Sequence, residues 1–185
     1  TLRTLFPYTT LFRSPETGWK RYNPRDTNFK YSLTPSWDGN YAIGDGNSSK
    51  SLSVSFNFQG TKLRVLGYNG YDRSSDISCI IDGVEKKFSQ VSEVYVANAL
   101  NYSVEGLVNK QHSVVIKSNV PGTYAGLTLT AIDIDANGEL KTYNSNISLD
   151  KSLIDLKVGQ SDQLKATITP DNATNQDVKI GRAHV

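Results

Sequence analysis

Ser51–Phe58 reads SLSVSFNF, with Leu52, Val54, Phe56 and Phe58 on one side and Ser51, Ser53, Ser55 and Asn57 on the other. Successive side chains of an extended strand point to opposite faces, so this strict period of two marks a strand with one face in a core and one toward water. The pattern continues downstream. Gln59-Gly60-Thr61 turns the chain, and Lys62–Tyr68 (KLRVLGY) follows as a second strand. Asn69–Ser75 is a polar loop flanked by aromatics. Asp76–Asp82 (DISCIID) is a third strand, ended by the turn dipeptide Asp82-Gly83, with Val84–Ser89 as its hairpin partner. Glu93–Ala97 and Ser113–Ser118 are further strands, and Trp19 begins the first one.

Leu127–Ile134 (LTLTAIDI) closes the series with a change of phase. Leu127 and Leu129 are odd, Ile132 and Ile134 even, which predicts a β-bulge near Ala131. No useful window carries apolar residues at helical spacing. Short strands separated by frequent turn signals predict an all-β chain built as a sandwich or jelly roll.

The composition bounds the rest. Thr1–Ser14 (TLRTLFPYTTLFRS) and Ile180–Val185 (IGRAHV) resemble translated sequencing-adapter read-through, and the sequence contains no Met. Both segments are expected to be non-native and are set apart from the fold. They carry Arg3, Arg13 and Arg182 and no carboxylate, so without them the formal charge of +2 becomes −1. A near-neutral chain without a Lys/Arg cluster lacks the electrostatic footprint of a nucleic-acid binder and has no pull toward anionic membranes. No run approaches 18 apolar residues, the length a membrane helix needs. One cysteine excludes an internal disulfide. The body, residues 15–142, is long enough for a core of its own.

Two resemblances add to this. Gly18-Trp19-Lys20-Arg21-Tyr22, Phe58-Gln-Gly-Thr-Lys-Leu-Arg64, Asp72-Arg73-Ser74-Ser75, Ile81-Asp-Gly-Val84 and Ala131-Ile-Asp-Ile-Asp135 occur in the order seen in jelly-roll modules with a galactose-binding-like fold. Such modules are found in clostridial surface proteins and phage tail proteins; here the likeness spans residues 15–142 and is loosest over Phe88–Gln111. After a polar linker at 143–146, residues 147–179 (beginning ISLDKSLIDLKVGQSDQLKATITPDNATN) resemble the opening of a bacterial immunoglobulin-like domain of group 2. A complete sandwich of that kind needs about 7 strands and roughly 100 residues, so an incomplete domain is expected. It would have strands at Ile147–Leu149, Ile154–Val158 and Gln163–Thr169 and an exposed edge. The resemblances imply a modular protein at the cell surface, secreted, or in a phage virion.

Candidate binding residues lie in aromatic loops. Trp37-Asp38-Gly39-Asn40-Tyr41 sits between turn residues, and Tyr68-Asn69-Gly70-Tyr71-Asp72-Arg73 between two strands. Sugars pack C–H faces on aromatic rings and offer hydroxyls to Asn, Asp and Arg, so Trp37, Tyr41, Tyr68, Tyr71 and Arg73 are the expected ligand contacts. The competing account is that these rings pin loops to the ends of the sandwich.

Asp133-Ile-Asp135-Ala-Asn137-Gly138 imitates an EF-hand start, but Lys141 and Asn144 stand at positions nine and twelve, and a strand precedes it. A structural calcium held by Asp38, Asp133 or Asp135 is what the jelly-roll resemblance implies. Cys79, in phase with Ile77 and Ile81, reads as a small buried hydrophobe. His112 is the one histidine outside the terminal segments, and no Gly-x-Ser-x-Gly elbow accompanies it, which speaks against a triad hydrolase. Sequons occur at Asn47, Asn101, Asn146 and Asn172.

The expected function is a non-catalytic carbohydrate- or ligand-binding module recognising a cell-surface or cell-wall glycan. The alternative is a structural spacer that contacts neighbouring modules and positions another domain. A catalytic β-sandwich ranks third.

Overall fold

The computed structural model describes residues 14–38, 41–43, 52–120, 126–141 and 146–169. They are all-β. The strands are β1 (Trp19–Tyr22), β2 (Lys30–Tyr31), β3 (Ser36–Asp38), β4 (Tyr41–Ile43), β5 (Ser53–Gly60), β6 (Leu63–Asn69), β7 (Ile77–Ile81) and β8 (Val84–Phe88). They continue with β9 (Val96–Val104), β10 (Lys110–Ser118), β11 (Thr128–Leu129), β12 (Ala131–Asp135), β13 (Glu139–Lys141), β14 (Asn146–Leu149) and β15 (Ala166–Thr169). The chain divides into two units, Thr1–Tyr143 and Asn144–Val185.

Two antiparallel sheets dominate the first unit. One runs β1-β12-β6-β9; the other runs β13-β5-β10-β7-β8, with β2 also paired to β5. Their apolar faces supply one core. Val54, Phe56, Phe58, Ile77, Cys79, Val114 and Ile116 come from the second sheet, and Leu63, Val65, Ile132 and Ile134 from the first; all are fully buried. Phe29 meets Phe56 edge-on, ring centroids 5.0 Å apart. A third, short sheet, β11-β4-β3, is joined to the core through Leu129 and Trp37.

The alternation in Ser51–Phe58 places its side chains as predicted: Leu52, Val54, Phe56 and Phe58 are buried. The polar face is not simply wet, however, because Ser55 and Asn57 are also buried. The Asp82-Gly83 turn closes β7 onto β8 with Ile81 opposite Val84. Both turn residues have positive φ, 49° and 82°. A two-residue turn of that twist requires this, and Asp and Gly tolerate it.

Three expectations for the first unit are corrected. The phase change in Leu127–Ile134 is not a bulge. The segment breaks at Thr130, whose N–H is donated to the Leu66 carbonyl, and its halves join different sheets: β11 pairs with β4, β12 with β6 and β1. The Trp37–Tyr41 segment is a strand pair in which Trp37 faces Ala42 and Asp38 faces Tyr41. Glu93–Ala97 holds only the start of a nine-residue strand that runs on to Val104.

In the second unit β14 and β15 form a two-stranded antiparallel sheet, Ile147 opposite Ile168. Ile154–Val158 is not a strand; a turn follows it, with the Gln160 N–H donated to Lys157 O and Gly159 at φ 90°. Apolar residues stay at the surface, Leu153 at 85% and Leu156 at 48% exposure. Among the described residues no strand pairs with this segment, and an unpaired apolar segment is not held extended.

Candidate functional site

The bend after β6 assembles the aromatic site from two segments. Gly70 forms a parallel bridge with Val91. Its N–H is donated to Gln90 O at 3.1 Å, and its carbonyl accepts the Ser92 and Arg73 N–H groups. This brings residues 93–95 over the 70–73 turn. Tyr95 then lies on Tyr71 (centroids 5.1 Å) and on Tyr68 (5.7 Å), with the Arg73 guanidinium 5.4 Å from the Tyr68 ring and 5.7 Å from Tyr95. A side chain on Gly70 would run into the Tyr95 ring, so the fit requires glycine there.

The polar groups at this site are already ordered. Arg73 Nη1 is 3.0 Å from Asp72 Oδ1, and the Tyr95 hydroxyl is donated to Asp72 Oδ2 at 3.2 Å. The hydrogen bond with Tyr71, partial burial and the Asp72 carboxylate hold the Tyr95 phenol above its ordinary value. Tyr71 is 69% exposed and Tyr95 46%. The result is a two-ring apolar step at the surface with a carboxylate at its edge.

A buried amide network holds this loop pair in place. Gln90 is fully buried. Its Nε2 is donated to Thr128 O (2.7 Å) and Asn101 Oδ1 (2.8 Å), and its Oε1 accepts the Thr128 N–H (3.0 Å) and hydroxyl (3.1 Å). Thr128 Oγ1 in turn accepts the Tyr68 N–H at 2.9 Å, and Asn101 Nδ2 is donated to Asn69 Oδ1 at 2.6 Å. The Asn101 sequon is thus committed to packing.

Of the expected contact residues, Tyr68, Tyr71 and Arg73 come together. Trp37 belongs to a different group, under the Arg25 guanidinium (4.1 Å) and edge-on to Tyr31 (6.0 Å). Burial raises the Tyr31 phenol above its ordinary value, and its hydroxyl is donated to Pro24 O at 2.8 Å. The side chains of Asp38 and Tyr41, residues 39–40 between them, and the sequons at Asn47 and Asn172 lie outside the described residues, as does the side chain of Asn146. Tyr95, Asp72 and Gln90 were not among the expected residues.

Two of the three carboxylates expected at calcium, Asp133 and Asp135, are hydrogen-bonded within the protein. Asp133 is fully buried on the outward side of β12, and both its oxygens accept from Arg21, Oδ1 from Nε (2.7 Å) and Oδ2 from Nη2 (2.8 Å). Asp135 accepts from the Thr61 N–H and hydroxyl (each 2.6 Å) and the Lys62 N–H (3.1 Å). Every partner is a hydrogen donor, whereas a cation needs oxygens with free lone pairs turned toward it. Asp133 and Asp135 are thus engaged by protein donors, and the side chain of Asp38, the third carboxylate expected at calcium, lies outside the described residues. Among the described residues, no group of three or more His, Cys, Asp or Glu side chains is placed to hold a metal.

His112 is buried, with Nδ1 2.8 Å from Asp82 Oδ2 and Nε2 2.8 Å from Val108 O. Both ring nitrogens face acceptors, so the ring is a tie between the β7–β8 turn and β10 with no nitrogen open to a substrate. Cys79 is fully buried, and burial pushes its thiol up to about 12. A thiol in that state is a poor nucleophile.

Asp135 also predicts an acid dependence. Burial alone would raise its carboxyl, but the Thr61 and Lys62 donors outweigh that and hold it below the ordinary 3.8. Asp82 is lowered similarly: the Ser113 N–H, Lys110 and His112 overcome its burial. A folded carboxyl below its unfolded value contributes stability that is present above the unfolded value and lost as pH falls through the folded one. The urea midpoint is expected to be flat from pH 7 to about 5 and to fall below about pH 4. Asp135→Asn is expected to make that fall shallower; an unchanged slope would show that Asp135 is not part of it.

Beyond the chain itself, no family model matches, and no curated protein does. Among solved structures the chain is similar to a salicylyl-acyltransferase from a tetracycline biosynthetic pathway, with a TM-score of 0.52 at 13% sequence identity. The match covers 69% of this chain and 42% of that one, so the chain spans less than half of that protein's length. At this identity the likeness shows the fold alone.

Proposed function

We propose that the first unit is a non-catalytic carbohydrate-binding module, part of a modular surface, secreted or phage tail protein, and that it takes a sugar on the Tyr71–Tyr95 step. The observation that carries this is two solvent-facing tyrosine rings at 5.1 Å, edged by Asp72 and backed by Arg73. A sugar ring lays its C–H face on such rings while its hydroxyls meet the carboxylate. Tyr68 and Arg73 support the step from behind. Trp37 is set aside as a primary contact, since it is capped by Arg25 and packs against the core.

A glycan array on the whole chain tests this. A specific hit is expected to weaken about tenfold or more in Tyr71→Ala and Tyr95→Ala, one ring-packing contact being worth roughly a factor of ten. Trp37→Phe is expected to bind as the parent does. Binding unchanged in both tyrosine variants would remove the site, and a silent array on folded protein would remove the function.

The second reading, a spacer or assembly module set beside other domains, is favoured by the second unit. Its Leu153, Leu156 and Val158 side chains are exposed, a surface suited to a neighbouring module. Localisation outside the cell or in a virion goes with either reading.

A further inference from the structure

At the other end of β6 from the tyrosines, three turns enclose a cleft of about 400 Å³ that has no part in the reading above. Its walls are the β5–β6 turn, the β12–β13 turn and the segment entering β10, and its polar lining includes Gln59, Thr61, Lys62, Asn109, Asp135 and Asn137. Its volume falls within the range of small-ligand pockets, about 300–1,000 Å³.

The hydrogen-bonding state of these groups selects the ligand. Asp135, between Gly60 and the β12–β13 turn, accepts three hydrogen bonds from Thr61 and Lys62 and anchors the cleft. Gln59 Nε2 is donated to Asn109 Oδ1 at 3.0 Å. Joined in this way, the two amides keep both kinds of group for a ligand, acceptor sites at Gln59 Oε1 and donor hydrogens at Asn109 Nδ2. A hydroxyl, which both donates and accepts, matches such a pair. Asn137 adds a third, exposed amide from the opposite turn.

Lys62 supplies the charge. Its ammonium lies 4.1 Å over the Trp19 ring, which holds it in place without neutralising it. Among the described residues no carboxylate pairs with it. The lining therefore offers hydroxyl-matching amides, the Lys62 ammonium and the Asp135 carboxylate held by neutral donors, with more polar than apolar surface.

We infer that this cleft binds a hydroxylated carboxylic acid about one or two sugar rings in size, its hydroxyls on Gln59, Asn109 and Asn137 and its carboxylate on Lys62. The site is separate from the tyrosine step and stands or falls independently of it.

The test titrates the full chain with galacturonate and, in parallel, with galactose, following the side-chain amide signals of Gln59, Asn109 and Asn137 by NMR. Galacturonate is expected to shift these signals and to bind at least tenfold more tightly than galactose, with affinity falling as salt is added. Lys62→Gln is expected to bring galacturonate down to the level of galactose. Asn137→Ala, which touches only an exposed side chain and should leave the fold intact, is expected to weaken galacturonate severalfold. Tyr71→Ala should leave the titration unchanged, so failure here is distinguishable from failure of the array. Unmoved amide signals at tens of millimolar ligand, equal binding of the two sugars, or full galacturonate affinity in Lys62→Gln or Asn137→Ala would each overturn the inference.

Discussion

Arg21→Ala is expected to destabilise the first unit by about 3–5 kcal/mol, the usual cost of leaving a buried charge without its partner. Asp133 is fully buried on the outward side of β12, and both its oxygens depend on the one guanidinium. The pair also joins the first strand of the unit to β12, late in it, since Arg21 on β1 lies opposite Asp133 in the sheet register. Urea unfolding measures the loss as a lower midpoint at unchanged slope. The double variant Arg21→Met with Asp133→Leu is expected to recover most of it, because an apolar pair of similar volume carries no stranded charge. A loss below about 1 kcal/mol in Arg21→Ala would mean that water reaches Asp133 and that the pair behaves as a surface one.

The second large effect is expected at Gln90. Gln90→Leu preserves bulk but strands the Thr128 N–H and C=O, both within a fully buried residue. Each unsatisfied buried group costs about 1–3 kcal/mol, so a loss of about 3 kcal/mol or more is expected. The consequence reaches the tyrosines, because Thr128 Oγ1 also fixes the Tyr68 backbone and Gln90 O receives the Gly70 N–H. A binding defect in Gln90→Leu without any change at Tyr71 or Tyr95 would tie recognition to the order of these loops. Full stability in the variant would mean that the amide network is replaced by solvent.

What was legible in the sequence was what neighbours along the chain decide. Phe56 and Phe58 alternate with polar residues, Asp82-Gly83 supplies the twist of a tight turn, and Cys79 keeps phase with two isoleucines; each signal is complete within eight residues. What was not legible depends on distant pairing. Leu127–Ile134 looks like one bulged strand because nothing in it records that its halves serve different sheets. Strand β9 is hidden because its register against β6 breaks twice and Asn98 takes a positive φ, which erases a clean period of two.

The site divides in the same way. Tyr68, Tyr71 and Arg73 stand together in sequence, but the ring that unites them, Tyr95, arrives from a segment fixed by Gln90. The Asp-x-Asp-x-Asn-Gly string invites a cation, yet its first carboxylate is claimed by an arginine 112 residues away.

The sulfur inventory has a practical consequence. The 185 residues contain one Cys and no Met, and that lone sulfur lies fully buried between β10 and β8, with Ile116 and Lys86 as its register partners. Mild oxidants that attack thiols and thioethers thus find no target on the folded surface. A thiol-specific reagent meets Cys79 only when β7 opens, so its alkylation rate is a built-in clock for the opening of the central sheet, readable without a label or an engineered residue.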